Sequence, residues 1–121
     1  ADACALIRQN REKFDAYNLS LIEGTAPQVL ADLPAPDAVF IGGTKGSMAE
    51  VVDAALAKNP NARLCISAIA LETLSAAIAA LAAHGQTAEV TQLAVNRTRP
   101  AGKLHLLMAN NPIFLITGER K

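Results

Sequence analysis

The sequence predicts an α/β fold in which helices flank a mostly parallel sheet that has an antiparallel pair of strands at one edge. Short apolar runs bounded by glycine and proline alternate with longer segments whose apolar residues recur every three or four positions. The last two strand-like runs have no helical segment between them, which favours an antiparallel pair. A length of 121 residues suits one domain and is too short for two.

The chain begins with a predicted helix and a short strand. Asp2 is placed to cap a helix that runs to about Phe14. Weak alternation of apolar and polar residues from Asn18 to Ile22 then predicts the strand.

A second short helix should follow. Thr25 is its candidate cap, Pro27 suits its first turn, and Gln28 stands where a capping box requires it. Pro34 and Pro36 end this helix.

A glycine-rich turn joins the next strand to its helix. The apolar run from Asp37 to Ile41 predicts a strand buried on both faces, and Gly42 and Gly43 close it. Ser47 and Glu50 form a capping box for a helix that ends near Asn59 and Pro60. The predicted apolar face of this helix consists of Met48, Val51, Val52, Ala55 and Leu56.

The same strand-helix unit occurs once more. Arg63 to Ala68 predicts a strand, and a helix should run from about Leu71 to His84, with Gly85 in the left-handed conformation after it. We expect the buried face of this helix to consist of Leu71, Leu74, Ile78 and Leu81.

The C-terminal third is predicted to hold two strands and a long connection. Alternation from Ala88 to Thr98 and the apolar run from Ile113 to Thr117 predict the strands. The residues between them, Arg99 to Asn111, are predicted to be irregular, although they contain apolar Leu104, Leu106, Leu107 and Met108.

Composition excludes several classes of protein. Eleven basic residues balance eleven acidic ones, which argues against a module held on nucleic acid by general phosphate attraction. The hydrophobic fraction of 51% is too high for disorder. The longest nearly uncharged stretch, Leu64 to Gln86, contains Glu72 and has helical periodicity, so no membrane span is expected. No secretory signal is visible, and two cysteines, Cys4 and Cys65, fit buried reduced thiols in a cytosolic protein.

The strand-to-helix loops are the candidate ligand sites, because open α/β sheets bind ligands beyond the carboxyl ends of their strands. The predicted loops are Glu23 to Ala26, Gly42 to Ser47 and Ala68 to Thr73. The second has three glycines, which let a ligand approach the backbone, and it matches neither a P-loop nor a dinucleotide fingerprint. A plain tight turn without a ligand remains the alternative.

Few side chains suggest acid-base or metal chemistry. His84 stands in the last turn of a helix, where it complements the helix dipole, and His105 lies in the predicted irregular connection without a partner at metal-ligand spacing. A basic cluster of Arg97, Arg99 and Lys103, with Lys45 on another loop, is either a solvated edge or a site for a ligand with several carboxylates.

Several motifs, in order, resemble one family. They are the Glu23–Pro27 segment, the run from Pro36 to Gly43, the helix start at Leu71–Thr73, and Gly102 and His105 leading to the segment from Asn111 to Gly118. Together they resemble the decarboxylating precorrin-6Y C5,15-methyltransferase family of cobalamin (vitamin B12) biosynthesis, and more narrowly its C-terminal, CbiT-like domain. The resemblance runs over essentially the whole chain.

The resemblance implies a Rossmann-like, class I methyltransferase that uses S-adenosyl-L-methionine (SAM) to methylate and decarboxylate a precorrin. It places Gly24, Thr25 and Ala26 near the adenine, and Gly42 and Gly43 beside the methionine end. It places a further group of residues on the tetrapyrrole side, with His105 as a possible catalytic acid: Thr44, Lys45, Glu72, Arg97, Lys103 and Asn111. It implies a homo-oligomer, while composition and residue spacing predict a cytoplasmic protein with no metal site, no nucleic-acid partner and no membrane partner.

The chain departs from this family at its start. The first two strands of the methyltransferase sheet, with the glycine-rich loop and the acidic residue that hold SAM, are not recognisable, so residues 1–121 are expected to form one partial domain that is inactive alone. The alternative is a non-catalytic α/β binding or oligomerisation module, in which Leu104 to Met108 forms an oligomer contact and the glycines only form turns.

Overall fold

The computed structural model describes residues 2–44 and 46–120, and the chain divides into two compact units at Leu33 and Pro34. The first unit contains helix α1 (Asp2–Lys13) and a short 3-10 helix (Gln28–Leu30). Helix α1 ends close to the predicted position, but Asp2 is its first residue and does not precede it as a cap. An ion pair between Arg8 and Glu23, 3.1 Å apart, links the helix to the segment that follows it.

Two predictions for this unit are wrong. Residues 18–22 form no strand, because no other extended segment pairs with them. The predicted helix after Thr25 is reduced to the 3-10 turn, whose cap position is Pro27 and has no side-chain hydrogen bond. The Thr25 carbonyl accepts a hydrogen bond from Val29 N at 3.2 Å, so the main chain alone closes this turn.

The second unit is built on a four-stranded sheet of order β1-β2-β6-β3. Its strands are β1 (Ala38–Ile41), β2 (Arg63–Ala68), β3 (Gln86–Leu93) and β6 (Ile113–Arg120). Strands β1, β2 and β3 run in one direction, and β6 runs against both of its neighbours. The mixed α/β sheet with an antiparallel pair at one edge is therefore confirmed.

Hydrogen bonds fix the start of the parallel pair. Asn59 Nδ2 donates to the Pro36 carbonyl at 2.8 Å, and Arg63 N donates to the Asp37 carbonyl at 3.0 Å. Because these bonds join the end of one helix to the entry of β1 and β2, they set the register in which Ile41 lies opposite Ile66.

Helix α2 (Met48–Lys58) has the apolar face that the sequence predicts. All five predicted residues of this face are buried, and Val52 is fully inaccessible. The helix also ends where the sequence predicts, but its capping box is wrong: the Ser47 hydroxyl donates to the Thr44 carbonyl at 2.7 Å and makes no cap bond to the helix.

Helix α3 (Leu71–Ala83) packs on strands β2, β3 and β6 with a different face from the predicted one. Leu81 is fully buried as expected, but Leu71 is 67% exposed and Ile78 is 39% exposed. The buried positions are instead Ala77 and Ala80, because small side chains allow the helix to approach the sheet closely. Gly85 follows the helix with φ of +73°, which confirms its left-handed position.

The core lies between these helices and one face of the sheet. Its largest fully buried side chains come from four different elements: Ile66, Leu81, Ile116 and Val52. On the other face of the sheet Phe40 is 66% exposed. The two cysteines are free and half-buried, so the expectation of fully buried thiols is wrong.

The predicted irregular connection is a β-hairpin. Strand β4 (Asn96–Ala101) pairs antiparallel with β5 (Leu104–Ala109) in a separate two-stranded sheet. The alternating run predicted from Ala88 to Thr98 is accordingly divided between β3 and β4. No helix in the described part of the chain is long and apolar enough to cross a membrane.

Candidate functional site at the carboxyl edge of the sheet

The topology gathers the candidate loops of the second unit at one edge of the sheet. Strands β1 and β2 are parallel, so Ile41 and Ala68 end them at the same edge. Phe114 lies opposite Ala68, and Leu93 lies opposite Ile113, so β6 begins and β3 ends at that edge too. We call it the carboxyl edge.

The β4–β5 hairpin leaves the sheet from the carboxyl edge, because it connects Leu93 to Ile113. Neighbouring strands lie about 4.8 Å apart, which puts β1 about 10 Å from β6 and about 14 Å from β3. The glycine loop that follows β1 and the base of the hairpin thus begin about 10–14 Å apart along the same edge.

The loop after β1 is open on the side where a ligand would approach. Among the described residues, a side chain added at Gly43 would meet no atom within 4 Å, and one added at Gly42 would meet only the Phe40 ring at 3.7 Å. The far end of the loop is fixed, because Ser47 N and the Ser47 hydroxyl both donate to the Thr44 carbonyl. Lys45 lies outside the described residues.

Thr44 and Glu72, both predicted on the substrate side, line one groove. The groove has a volume of about 590 Å³ and runs between α2 and α3, with Gly46 and Thr73 at the same end. Alanine is the commonest of its lining residues, and the acidic residues Glu50, Asp53 and Glu72 line it as well. These acidic side chains disfavour binding of a polycarboxylate within the groove.

The pairing register of the hairpin sorts its side chains onto two faces, because residues directly opposite each other lie on the same face. Arg97 pairs with Met108 and Arg99 with Leu106. We define the arginine face as Arg97, Arg99, Ala101, Leu104, Leu106 and Met108, and the opposite face as Asn96, Thr98, Pro100, His105, Leu107 and Ala109.

The register separates residues that were predicted to act together. Arg97 belongs to the arginine face and His105 to the opposite face, so a ligand lying flat on one face contacts only one of them. His105 is an exposed residue of a regular strand, which corrects its predicted place in an irregular connection. Lys103 lies in the turn, and Asn111 lies two residues before β6, at the carboxyl edge.

The residues predicted near the adenine lie in the first unit. Gly24 has φ of +150°, and a side chain there would overlap Val29 Cγ1. The packing of Val29 is therefore a sufficient reason for glycine at this position. Because residues 18–22 form no strand, Gly24, Thr25 and Ala26 do not follow a strand end, and their contact with a cofactor stays a prediction.

Two features of the second unit were missed in the sequence. The Gly102–Lys103 loop has φ of +61° at its glycine, which is typical of the type II′ turn that joins two-residue hairpins. His84 Nε2 lies 2.6 Å from Asp53 Oδ1 and joins the end of α3 to the middle of α2. Only the first had a sequence signal, namely a Gly-Lys pair between two extended runs.

The described residues contain no group of three or more histidine, cysteine, aspartate or glutamate side chains placed to hold a metal ion. At the carboxyl edge lie the exposed backbone of Gly42 and Gly43 and the hairpin, which carries arginines and apolar side chains on one face. These groups suit a bound organic anion.

Comparisons with known proteins agree with the resemblance seen in the sequence. Residues 1–120 match the model of a precorrin methyltransferase domain. A cobalt-precorrin-6B C(15)-methyltransferase (decarboxylating) of Salmonella typhimurium is 32% identical over 98% of this chain and 62% of its own length.

Solved structures give the same result. A precorrin-6y C5,15-methyltransferase of Geobacter metallireducens is 37% identical with a TM-score of 0.85, over 95% of this chain and 60% of its own. The precorrin 8w decarboxylase of Methanobacterium thermoautotrophicum is 28% identical with a TM-score of 0.89, over 98% of this chain and 64% of its own. The chain spans about three fifths of the length of the curated relatives it matches.

Proposed function

Because this chain belongs to the precorrin methyltransferase domain family, we propose that it is part of a SAM-dependent enzyme that methylates and decarboxylates a precorrin in cobalamin biosynthesis. The observation that carries the proposal is the convergence of an open glycine loop and a cationic hairpin at the carboxyl edge of one α/β sheet. We further propose that residues 1–121 act as one partial methyltransferase domain of a cytoplasmic protein.

The glycine loop fits the methionine end of SAM. Among the described residues, only the Phe40 ring lies within 4 Å of a side chain added at Gly42, nothing lies that close at Gly43, and both glycines are exposed. Backbone amides can then reach an amino-acid group without a side chain between them. In our proposal Gly24, Thr25 and Ala26 contact the adenine. When bound, SAM supplies an activated methyl group.

The residues of the carboxyl edge then have a positioning role. Arg97 and Lys103 neutralise carboxylates of the tetrapyrrole, and Thr44, Lys45, Glu72 and Asn111 contact its polar groups. Holding an electron-rich ring carbon in line with the methyl donor, away from water, supplies much of the rate of such a transfer. Because His105 lies on the face opposite Arg97, a ring held by Arg97 does not contact it, and its predicted role as proton donor is not part of this proposal.

We also propose that the protein is a homo-oligomer. Hairpins of two strands are marginally stable alone, and Leu107 on the opposite face is 70% exposed. That face has no permanently charged residue, so a second copy can pack on it without bringing arginines together. The variant Leu107→Asp should lower the mass seen by analytical ultracentrifugation, and an unchanged mass would reject this contact.

Calorimetry with S-adenosylhomocysteine tests the cofactor site. We expect the chain, joined to the rest of its enzyme, to bind this product, and Gly43→Val to lose binding because the new side chain occupies the open space. Ala35→Val, which places the same side chain at an exposed loop residue, is the control. Equal binding by Gly43→Val and Ala35→Val would show that the loop does not hold the cofactor.

A further inference from the structure

The arginine face of the hairpin combines positive charge with apolar surface. Leu106 and Met108, which lie opposite the arginines, are 40% and 41% exposed, while Leu104 opposite Ala101 is 65% exposed. An exposed surface of this kind on a two-stranded sheet is unusual in an isolated soluble domain and indicates a binding surface.

The charge around this face has a single sign. From Val90 to Gly118 the chain contains Arg97, Arg99 and Lys103 and no aspartate or glutamate. A second copy of the arginine face would bring arginine toward arginine, which is unfavourable. An occupant of this face must therefore be anionic, and it must also present apolar surface to Leu106 and Met108.

Resting on the function proposed above, we propose that the arginine face is the surface on which the tetrapyrrole lies flat. The apolar plane of the ring covers Leu106 and Met108, while Arg97 and Arg99 bind carboxylates at its rim. Arginine suits this task because its planar guanidinium binds a carboxylate through two parallel hydrogen bonds. The assignment adds Arg99, Leu106 and Met108 to the substrate site and leaves His105 on the side away from the ring.

Fluorescence titration with uroporphyrin, a tetrapyrrole with carboxylates around its rim, tests the surface directly on the full enzyme. We expect Arg97→Gln and Arg99→Gln each to weaken binding about tenfold, as for the loss of one charge-assisted contact. Leu106→Thr should also weaken it severalfold, whereas citrate, which has carboxylates but no ring, should bind weakly and be insensitive to Leu106→Thr.

Two matched controls distinguish binding at the arginine face from the general effect of removing a positive charge or an exposed apolar side chain. Arg63→Gln removes a positive charge at the other end of the sheet, and Val90→Thr alters an apolar side chain that is 41% exposed, like Leu106. Equal weakening by the controls and the hairpin variants, or no binding of uroporphyrin by the unaltered enzyme, would overturn the assignment. Failure of S-adenosylhomocysteine to bind would instead contradict the methyltransferase function, since uroporphyrin binding does not require the cofactor.

Discussion

Replacing Gln86 with methionine should stabilise the protein. Gln86 lies on the core side of β3, is only 7% exposed, and its Oε1 has no hydrogen-bond donor among the described residues. A buried acceptor without a partner costs about 1–3 kcal/mol. Methionine has a similar length and volume and removes the polar group, so we expect a gain of about 1 kcal/mol after small packing losses.

The gain should be visible in thermal and urea unfolding. For a unit of this size, 1 kcal/mol corresponds to a rise in Tm of about 4–8 °C. Gln92→Met, at an exposed position on the same side of the same strand, is the control and should change stability by less than about 0.5 kcal/mol. If Gln86→Met instead lowers the free energy of unfolding, the Gln86 side-chain amide makes a stabilising contact, and the expected gain is refuted.

Three further substitutions test the packing of the second unit away from the carboxyl edge. Gly118→Ala should lower the free energy of unfolding in urea by about 1–3 kcal/mol, because the new Cβ would overlap Gln86 Oε1 and lie 2.9 Å from Leu81 Cδ2. An unchanged urea midpoint would contradict this close approach. Gly85→Ala should cost about 1 kcal/mol because φ is +73° there, and equal stability would mean that the turn adopts another conformation. Asp53→Asn should change stability by less than about 1 kcal/mol, since the Asp53 side chain is 63% exposed, and a larger loss would show that its contact with His84 is stronger than an exposed pair.

The sequence is most informative where local signals agree with tertiary packing. The apolar face of α2 and the left-handed glycine at position 85 were predicted correctly, because spacing and residue type alone determine them. The strand from Arg63 to Ala68 was also predicted with its bounds, since it is buried and flanked by turn residues.

Other features depend on contacts that no local pattern records. Residues 18–22 alternate like a strand but have no partner strand, so they remain irregular. The buried face of α3 was misassigned because alanine positions pack on the sheet while Leu71 faces outward. The hairpin was missed because a strand with several apolar residues is expected to be buried on at least one face. All residues of β5 are instead exposed.

The faces on which the hairpin side chains lie were also not predicted. Arg97 and His105 are close in the sequence and were assigned to one ligand, but only the pairing register reveals that they lie on different faces. The pairing register of a hairpin can be predicted only when its turn is identified, and here the turn is the Gly102–Lys103 loop.

The unbalanced charge of the hairpin has a kinetic consequence. The whole chain is formally neutral, yet three cations stand within seven residues with no acidic residue near them in sequence. Such a local electric field steers an approaching anion toward the hairpin before contact. Added salt screens this field, so that at about 0.1 M salt it extends only about 10 Å from the charges. Association of a polycarboxylate ring should therefore slow as ionic strength rises, while its dissociation, governed by apolar contact with Leu106 and Met108, changes little.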